Sequence, residues 1–271
     1  MKRLALWLWG CLALASIGCR AAPPPPATLA APPAAELLAI GLSSSAAPLG
    51  DLVAEPYAAT DPQAGLTFVE GNETALVADL DAGTLDALLV HVPPRGDGYW
   101  HNPVALDGLA IVVHPDNPVR ALTSAEVQGL FSGAIDNWAG LGGPNLPVVP
   151  VGRERGDGAR ALLTERIMAE QRPTIGTLVQ PTNEALLDAV AGEPGAIGYT
   201  MIGALDERVA AVTIDGVEPT PNNAGSQNYP LSTPLYFVSP EEPQGELRAF
   251  LAWLQSPEGQ TILSDKYGRV R

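Results

Sequence analysis

The chain has 271 residues, with 30 acidic side chains against 15 basic ones and a formal net charge of −15. That length fits one large domain or two small ones, and either size buries an ample core. The acidic balance repels nucleic acid and acidic lipid headgroups, so nucleic-acid binding is set aside; capture of a small anion stays open, because local donors decide it.

At the N-terminus Lys2 and Arg3 precede the apolar run LALWLWGCLALASI, residues 4–17. The run is short for a membrane span and has the form of an export signal, expected to occupy residues 1–18. It ends in SIGC, where small Gly18 precedes Cys19 as in a bacterial lipobox, with Ser16 where Leu is usual. The chain has two cysteines, and Cys11 would leave with the signal. Cys19 then has no partner for an intrachain disulfide, so lipidation of Cys19 is expected. The Pro- and Ala-rich residues 19–36 cannot bury a core and read as an extended tether off a membrane.

From Leu37 onward strand-like and helix-like runs alternate. LLAIGLS reads as a buried strand, PLGDLVAEPY as a helix, GLTFVE as a strand, TALVADLDAG as a helix and LDALLVHV as a strand. LDGLAIVVHP is a longer strand. TSAEVQGLFSG is a helix whose Thr123 and Glu126 fit a capping box. LPVVPVG is a strand leading through a Gly-punctuated turn into a helix with Ala159, Leu162, Leu163 and Ile167 on one face. NEALLDAVAG is a helix and GAIGYTMIG a strand. Near the end Ser239, Pro240 and Glu242 read as a helix cap, followed by Leu247, Phe250, Leu251 and Leu254 at helical spacing. This alternation predicts an α/β fold with mainly parallel sheets and helices on both faces.

Ligands of open α/β sheets sit beyond the carboxyl ends of strands. Four turns qualify: GLSSSAAP (residues 41–48), EGNETA (70–75), HVPPRGDG (91–98) and GRERGDGAR (152–160). Ser43, Ser44 and Ser45 offer hydroxyls in the first, and Arg153, Arg155 and Arg160 offer cations in the last. Taken singly, the serines are ordinary helix caps and the arginines surface charge. No nucleophile elbow, Walker A turn or metal-ligand pair is present, and His91, His101 and His114 are scattered; no catalysis and no cofactor are expected.

Together these features are less bland. The run LDGLAIVVHPDNPVRALTSAEVQGLFSGAIDNWAGLGG (residues 106–143) resembles the PstS-like substrate-binding proteins of phosphate transporters. Their usual wording of a strand, NP, LT, FxGxIxxW and GG stands here at Asn117–Pro118, Leu122–Thr123, Phe131 to Trp138 and Gly142–Gly143. GRERGDGAR matches the family's Arg-rich turn, and GAIGYTMIG, IDGVEPT, YPLSTPLYF and FLAWLQSPEGQ follow in order. The resemblance implies a bilobal periplasmic-binding-protein type II fold of two α/β lobes with an interlobe cleft. One lobe would hold residues 37–113 and 231–271 and the other 114–230, with crossings near His114 and Pro230. It further implies a monomeric, extracytoplasmic, membrane-anchored lipoprotein that delivers phosphate or a related small oxyanion to an ABC permease. The alternative is a surface lipoprotein whose degenerate anion site serves sensing or partner binding.

Carried over residue by residue, the resemblance places the ligand against Ser44, Ser45 and Ala46 in the first turn and Glu73 and Thr74 in the second. His91 follows in the third turn, and Arg153, Asp157, Gly158, Ala159 and Arg160 in the fourth. Four of these depart from the family wording. Asp157 stands for Ser, Ala159 for Thr, Glu73 for a small hydroxyl residue, and His91 at or near an Asp or Arg. Asp is a strong N-cap that takes N–H groups a phosphate would need, and carboxylates facing a phosphate repel it. The turn thus reads as an anion site that its own acids have weakened, altered or abandoned.

Overall fold

The computed structural model describes residues 37–60, 65–96 and 98–270. The export signal, Cys19 and the tether lie outside the described residues. Among the described residues no helix is long and apolar enough to cross a membrane.

The first half of the fold is a parallel layer. Strand β1 (Leu37–Ser43) pairs in parallel with β2 (Gly65–Gly71) on one side and β3 (Ala87–Val90) on the other. Its central residues are buried on both faces, as a parallel strand covered by helices requires. The connections carry α1 (Ala47–Thr60) and α2 (Glu73–Asp81). A long strand, β4 (Trp100–Val113), then joins the two halves.

Next come β5 (Ala121–Leu122), α3 (Ser124–Ser132), β6 (Val149–Arg153), α4 (Gly158–Leu163), β7 (Leu178–Gln180), α5 (Asn183–Gly192) and β8 (Ala196–Met201). After these follow β9 (Ala210–Ala211), β10 (Thr213–Ile214), α6 (Pro221–Gly225), β11 (Ser232–Ser239), α7 (Gly245–Leu254) and α8 (Pro257–Leu263). The path across the large sheet is β2-β1-β3-β11-β4-β8-β6-β7, with β9 beside β4, while β5 and β10 form a separate parallel pair.

The two lobes meet where β4 changes partners. From Trp100 to Gly108 it pairs antiparallel with β11, and from Leu109 to Val113 with β8. The exchange comes ahead of the crossing expected near His114, because the apolar run continues straight from one lobe's core into the other's. Each lobe has its own core. One gathers Ile40, Leu49, Leu89, Phe237 and Phe250, and the other Ile111, Leu130, Phe131, Trp138 and Ile214. Trp138, fully buried, donates its indole N–H to the carbonyl of Gly195 at 2.9 Å, which satisfies its single polar atom.

Two expectations need correction. The sheet is mixed rather than mainly parallel, because β11 runs antiparallel to both β3 and β4, and β4 antiparallel to β8. Ser239 is the last residue of β11 and donates its hydroxyl to the carbonyl of Glu241; it caps no helix. A second proline, Pro243, disfavours helical geometry at Glu242, and α7 starts only at Gly245. The Thr123–Glu126 capping box forms as expected.

Candidate functional site

The expected turns converge between the lobes. The first-lobe turn after β1 places Ser43 and Ser45, both buried, with their hydroxyls 3.5 Å apart. Ser44 between them accepts a hydrogen bond from Nη2 of Arg153, at 2.7 Å, from the other lobe. Ala46 lies in the first-lobe core and its N–H donates to the carbonyl of Ser43 at 2.8 Å.

Arg153 ends β6 and is buried, with 4% of its surface exposed. Its Nη2 also contacts the Asp157 carboxylate at 2.9 Å and the Pro181 carbonyl at 3.2 Å. Its backbone N–H donates to the Tyr199 hydroxyl and its carbonyl accepts from Arg160. Arg153 Nε and Nη1 are buried without a hydrogen-bond partner. A buried guanidinium with two unused donors is suited to a planar or tetrahedral oxyanion.

Asp157 caps α4, its Oδ1 accepting from the backbone N–H of Arg160 at 2.9 Å. One carboxylate thus holds both a helix N–H and the Arg153 guanidinium. Burial pushes the Asp157 carboxyl above its ordinary pKa, and Arg153 and the Arg160 N–H pull against that rise.

The second turn closes onto the fourth. Asn72 caps α2 and reaches across to donate to the Glu154 carboxylate at 2.8 Å and the Arg155 carbonyl at 2.9 Å. Gly156 has φ +85°, a backbone state that favours glycine, and a Cβ there would sit 2.4 Å from Asn72 and Thr74 oxygens. Thr74 itself is exposed at the rim. Glu73, the first residue of α2, packs its carboxyl on Gly158, where an added Cβ would lie 2.1 Å from Oε1. Ala159 is buried beside it.

Glu73 is 8% exposed and its Oε1 has no hydrogen-bond partner. Burial, then the nearby Asp157 charge, raises its pKa from an ordinary 4.5 to about 8. The Glu73 carboxyl therefore keeps its proton at neutral pH and can donate a hydrogen bond as well as accept one. The repulsion expected from Glu73 is thereby removed, and Arg153 stands against the Asp157 carboxyl.

His91 follows β3 and is buried. Its Nε2 lies 2.9 Å from Oδ2 of Asp107, and its Nδ1 has no partner. Asp107 sits in β4 at the partner exchange, where its other oxygen accepts from the N–H groups of Gly108 and Gly203. Of the expected residues, the structure brings Ser44, Ser45, Glu73, His91, Arg153, Asp157, Gly158 and Arg160 near one another between the lobes. It leaves Thr74 at the rim and the side chains of Ala46 and Ala159 in the two cores.

A PBP superfamily domain matches residues 27–258, most of the chain. The chain belongs to the PBP superfamily. Among solved structures it is similar to a Clostridium perfringens protein described as a phosphate ABC transporter substrate-binding protein with bound phosphate. That likeness has a TM-score of 0.82 and 27% identity, and covers 87% of this chain and 100% of that one. An ABC-type phosphate transport receptor from Vibrio cholerae matches with a TM-score of 0.69 and 26% identity, over 86% and 100% of the two chains. Among curated proteins, the phosphate-binding protein PstS of Bacillus subtilis is 32% identical over 165 residues, covering 60% of this chain and 55% of the relative. PstS of Pseudomonas aeruginosa is 31% identical over 185 residues, covering 59% and 57%. The chain spans just over half the length of these curated relatives. The PstS-like resemblance and the bilobal fold it implied are thus both borne out.

Two site-supporting residues were not foreseen. Tyr199 anchors the Arg153 backbone, and Asp107 holds His91. Asp107 had a signal, a lone carboxylate inside the apolar run VALDGLAIVV. Such a residue, buried, needs partners. Among the described residues no group of three or more His, Cys, Asp or Glu is placed to hold a metal.

Proposed function

We propose that the protein is an extracytoplasmic solute-binding lipoprotein of a phosphate-type ABC importer, binding phosphate or a related small oxyanion between its lobes. The observation that carries this reading is buried Arg153. It is gripped by Ser44 of the opposite lobe and keeps two donors without partners, in a chain whose structural relatives include a phosphate-bound protein. Residues 37–113 with 231–271, and 114–230, are the expected lobes, and they turn about the stretch where β4 passes from β11 to β8. Closure of such lobes around ligand is a hinge motion. Cys19, lipidated, anchors the body through the tether of residues 19–36, and an ABC permease receives the ligand.

Calorimetry with phosphate and sulfate tests the reading. The wild type binds one of them at a single site, and Arg153→Gln removes that binding. A folded wild type that bound neither would overturn it.

One observation favours a second reading. Asp157 already holds Nη2 of Arg153 and the Arg160 N–H in the first turn of α4. In that reading the anion site is degenerate and the lipoprotein serves sensing or partner binding. Adjacent permease and ATPase genes would favour the first reading, and a neighbouring sensor kinase gene the second.

A further inference from the structure

His91 and Asp107 are both buried, and their pairing leaves one nitrogen of the ring free. Asp107 Oδ1 accepts from the backbone N–H groups of Gly108 at 2.8 Å and Gly203 at 3.1 Å, and Oδ2 lies 2.9 Å from Nε2 of His91. Gly108 is where β4 ends its pairing with β11, and Gly203 lies in the turn that follows β8. One carboxylate thus ties the imidazole to the hinge strand and to the second lobe. A carboxylate facing Nε2 assigns the ring's hydrogen to that nitrogen, because two acceptors do not share a buried contact. In the neutral ring Nδ1 then carries a lone pair, and this atom is buried without a hydrogen-bond partner.

The ring stands among the charged groups of the cleft. It is near enough to Asp157, the cap of α4, for a charge on the ring to lower that carboxyl's pKa, and its backbone N–H faces the Glu73 carboxyl at the start of α2. Arg153 holds Asp157 from the end of β6, and Arg95 lines the same small cavity as Glu73 and Asp157. Behind Asp107 is Tyr267, after α8, whose hydroxyl is buried without a partner; burial and then the Asp107 charge raise its pKa well above the ordinary 10.0, so it keeps its proton. Arg153 already has the Asp157 carboxyl against it, so an anion entering the cleft brings charge beyond that pair. Buried charge is costly unless a partner answers it. With Nε2–H committed to Asp107, the ring answers an anionic oxygen only by binding a proton at Nδ1.

We propose that oxyanion binding in the cleft is coupled to uptake of one proton by Nδ1 of His91, and that Asp107 is the positioning residue that imposes this coupling by holding Nε2–H. The proposal rests on the reading of the cleft as an oxyanion site. In the bound state the imidazolium gives Nε2–H to Asp107 and Nδ1–H to the anion, and the proton comes from solvent. The added bond is charge-assisted, the stronger kind.

Asp107→Asn separates positioning from structure. Its amide oxygen still accepts from the Gly108 and Gly203 N–H groups, while its amide nitrogen donates to Nε2. The ring's hydrogen then moves to Nδ1, which meets the anion with no proton taken up. Nitrogen-15 NMR of the imidazole in the ligand-free proteins should show Nε2–H in the wild type and Nδ1–H in the variant.

Calorimetry with sulfate and with phosphate, in buffers of different ionisation heat, reads the proton uptake. The wild type should take up about one proton more per anion than Asp107→Asn. The ratio of wild-type to variant affinity should fall by up to about tenfold per pH unit between about pH 7 and about pH 9. His91→Gln has no ring to protonate and should lose the uptake likewise, which keeps the test decisive if Asp107→Asn does not fold. The titrations of Glu73, Asp157 and phosphate itself are shared by the three proteins and cancel in the ratios. Ratios that stay flat with pH overturn the inference and leave the oxyanion reading standing. So does a wild-type ring with its hydrogen on Nδ1, or phosphate bound without proton uptake, where the ligand's own hydroxyl serves Nδ1. A folded wild type that binds neither anion overturns the reading and the inference together.

Discussion

Replacing Glu73 with Gln separates the electrostatics of the cleft from its shape. Glu73 is buried against Gly158, and its pKa rises from 4.5 to about 8, by burial first and by the Asp157 charge second. In the unfolded chain the carboxyl ionises near 4.5; in the folded protein it holds its proton to about 8. Between those values the unfolded state binds fewer protons than the folded one, so stability falls as pH rises through the window. The stability is fully present below pH 4.5 and has been lost above about pH 8. At 1.36 kcal/mol per unit, the loss amounts to about 5 kcal/mol across the window and to about 3 kcal/mol at pH 7.

Glu73→Gln keeps the shape and removes the titration. Its stability relative to the wild type should therefore grow from near zero at pH 4 to several kcal/mol at pH 8.5. Urea denaturation of both proteins across that range measures the difference. A difference between variant and wild type that stays flat with pH would refute the claim that Glu73 is held neutral by burial.

Three further outcomes follow from the same geometry. Asp157→Ser with Ala159→Thr restores two hydroxyls and removes a charge, and with hydrogen bonds to charged groups at about 1.5–3 kcal/mol each, calorimetry should show at least about tenfold tighter phosphate binding; tight wild-type binding weakened by the change would show that Asp157 accepts a proton from the ligand. X-ray scattering should record a smaller radius of gyration with the bound oxyanion than without it, and tight binding with no change in shape would remove the hinge. Mass spectrometry should find diacylated Cys19 at the mature N-terminus, with Cys19→Ala released from membranes or unprocessed; an unmodified protein cut elsewhere would refute the anchor.

Much of the fold was legible because its strands and helices follow their periods closely. LLAIGLS and NEALLDAVAG have, in the structure, the bounds their patterns gave. The direction of β11 was not legible, since apolar alternation is blind to whether a neighbour runs parallel or antiparallel. The partner exchange within β4 was likewise hidden. A fourteen-residue strand buried in two cores in turn reads from the sequence as one apolar run. The false cap at Ser239 arose because a Ser followed by Pro and Glu carries the local signal, whereas Pro243 and the pairing of β11 decide the outcome.

The site divides along the same line. That its turns lie close together was legible, because turns at strand ends announce themselves through Gly, Ser and Arg. Its charge state was not, because formal charge counts Glu73 and Asp157 alike. The structure treats them differently. Asp157 has a guanidinium at 2.9 Å and a helix N–H at 2.9 Å, which pull against the rise that burial imposes on its pKa. Glu73 has Asp157 as its charged neighbour and an oxygen without a partner, so it holds its proton. The Glu73 carboxyl, expected to repel an anion, is therefore a potential hydrogen-bond donor. Asp157, expected to compete for helix N–H groups, also holds Nη2 of Arg153, so an oxyanion reaching Arg153 must share that guanidinium with it. If the proposed oxyanion binds here, its affinity is set by that competition rather than by the number of acids in the turns.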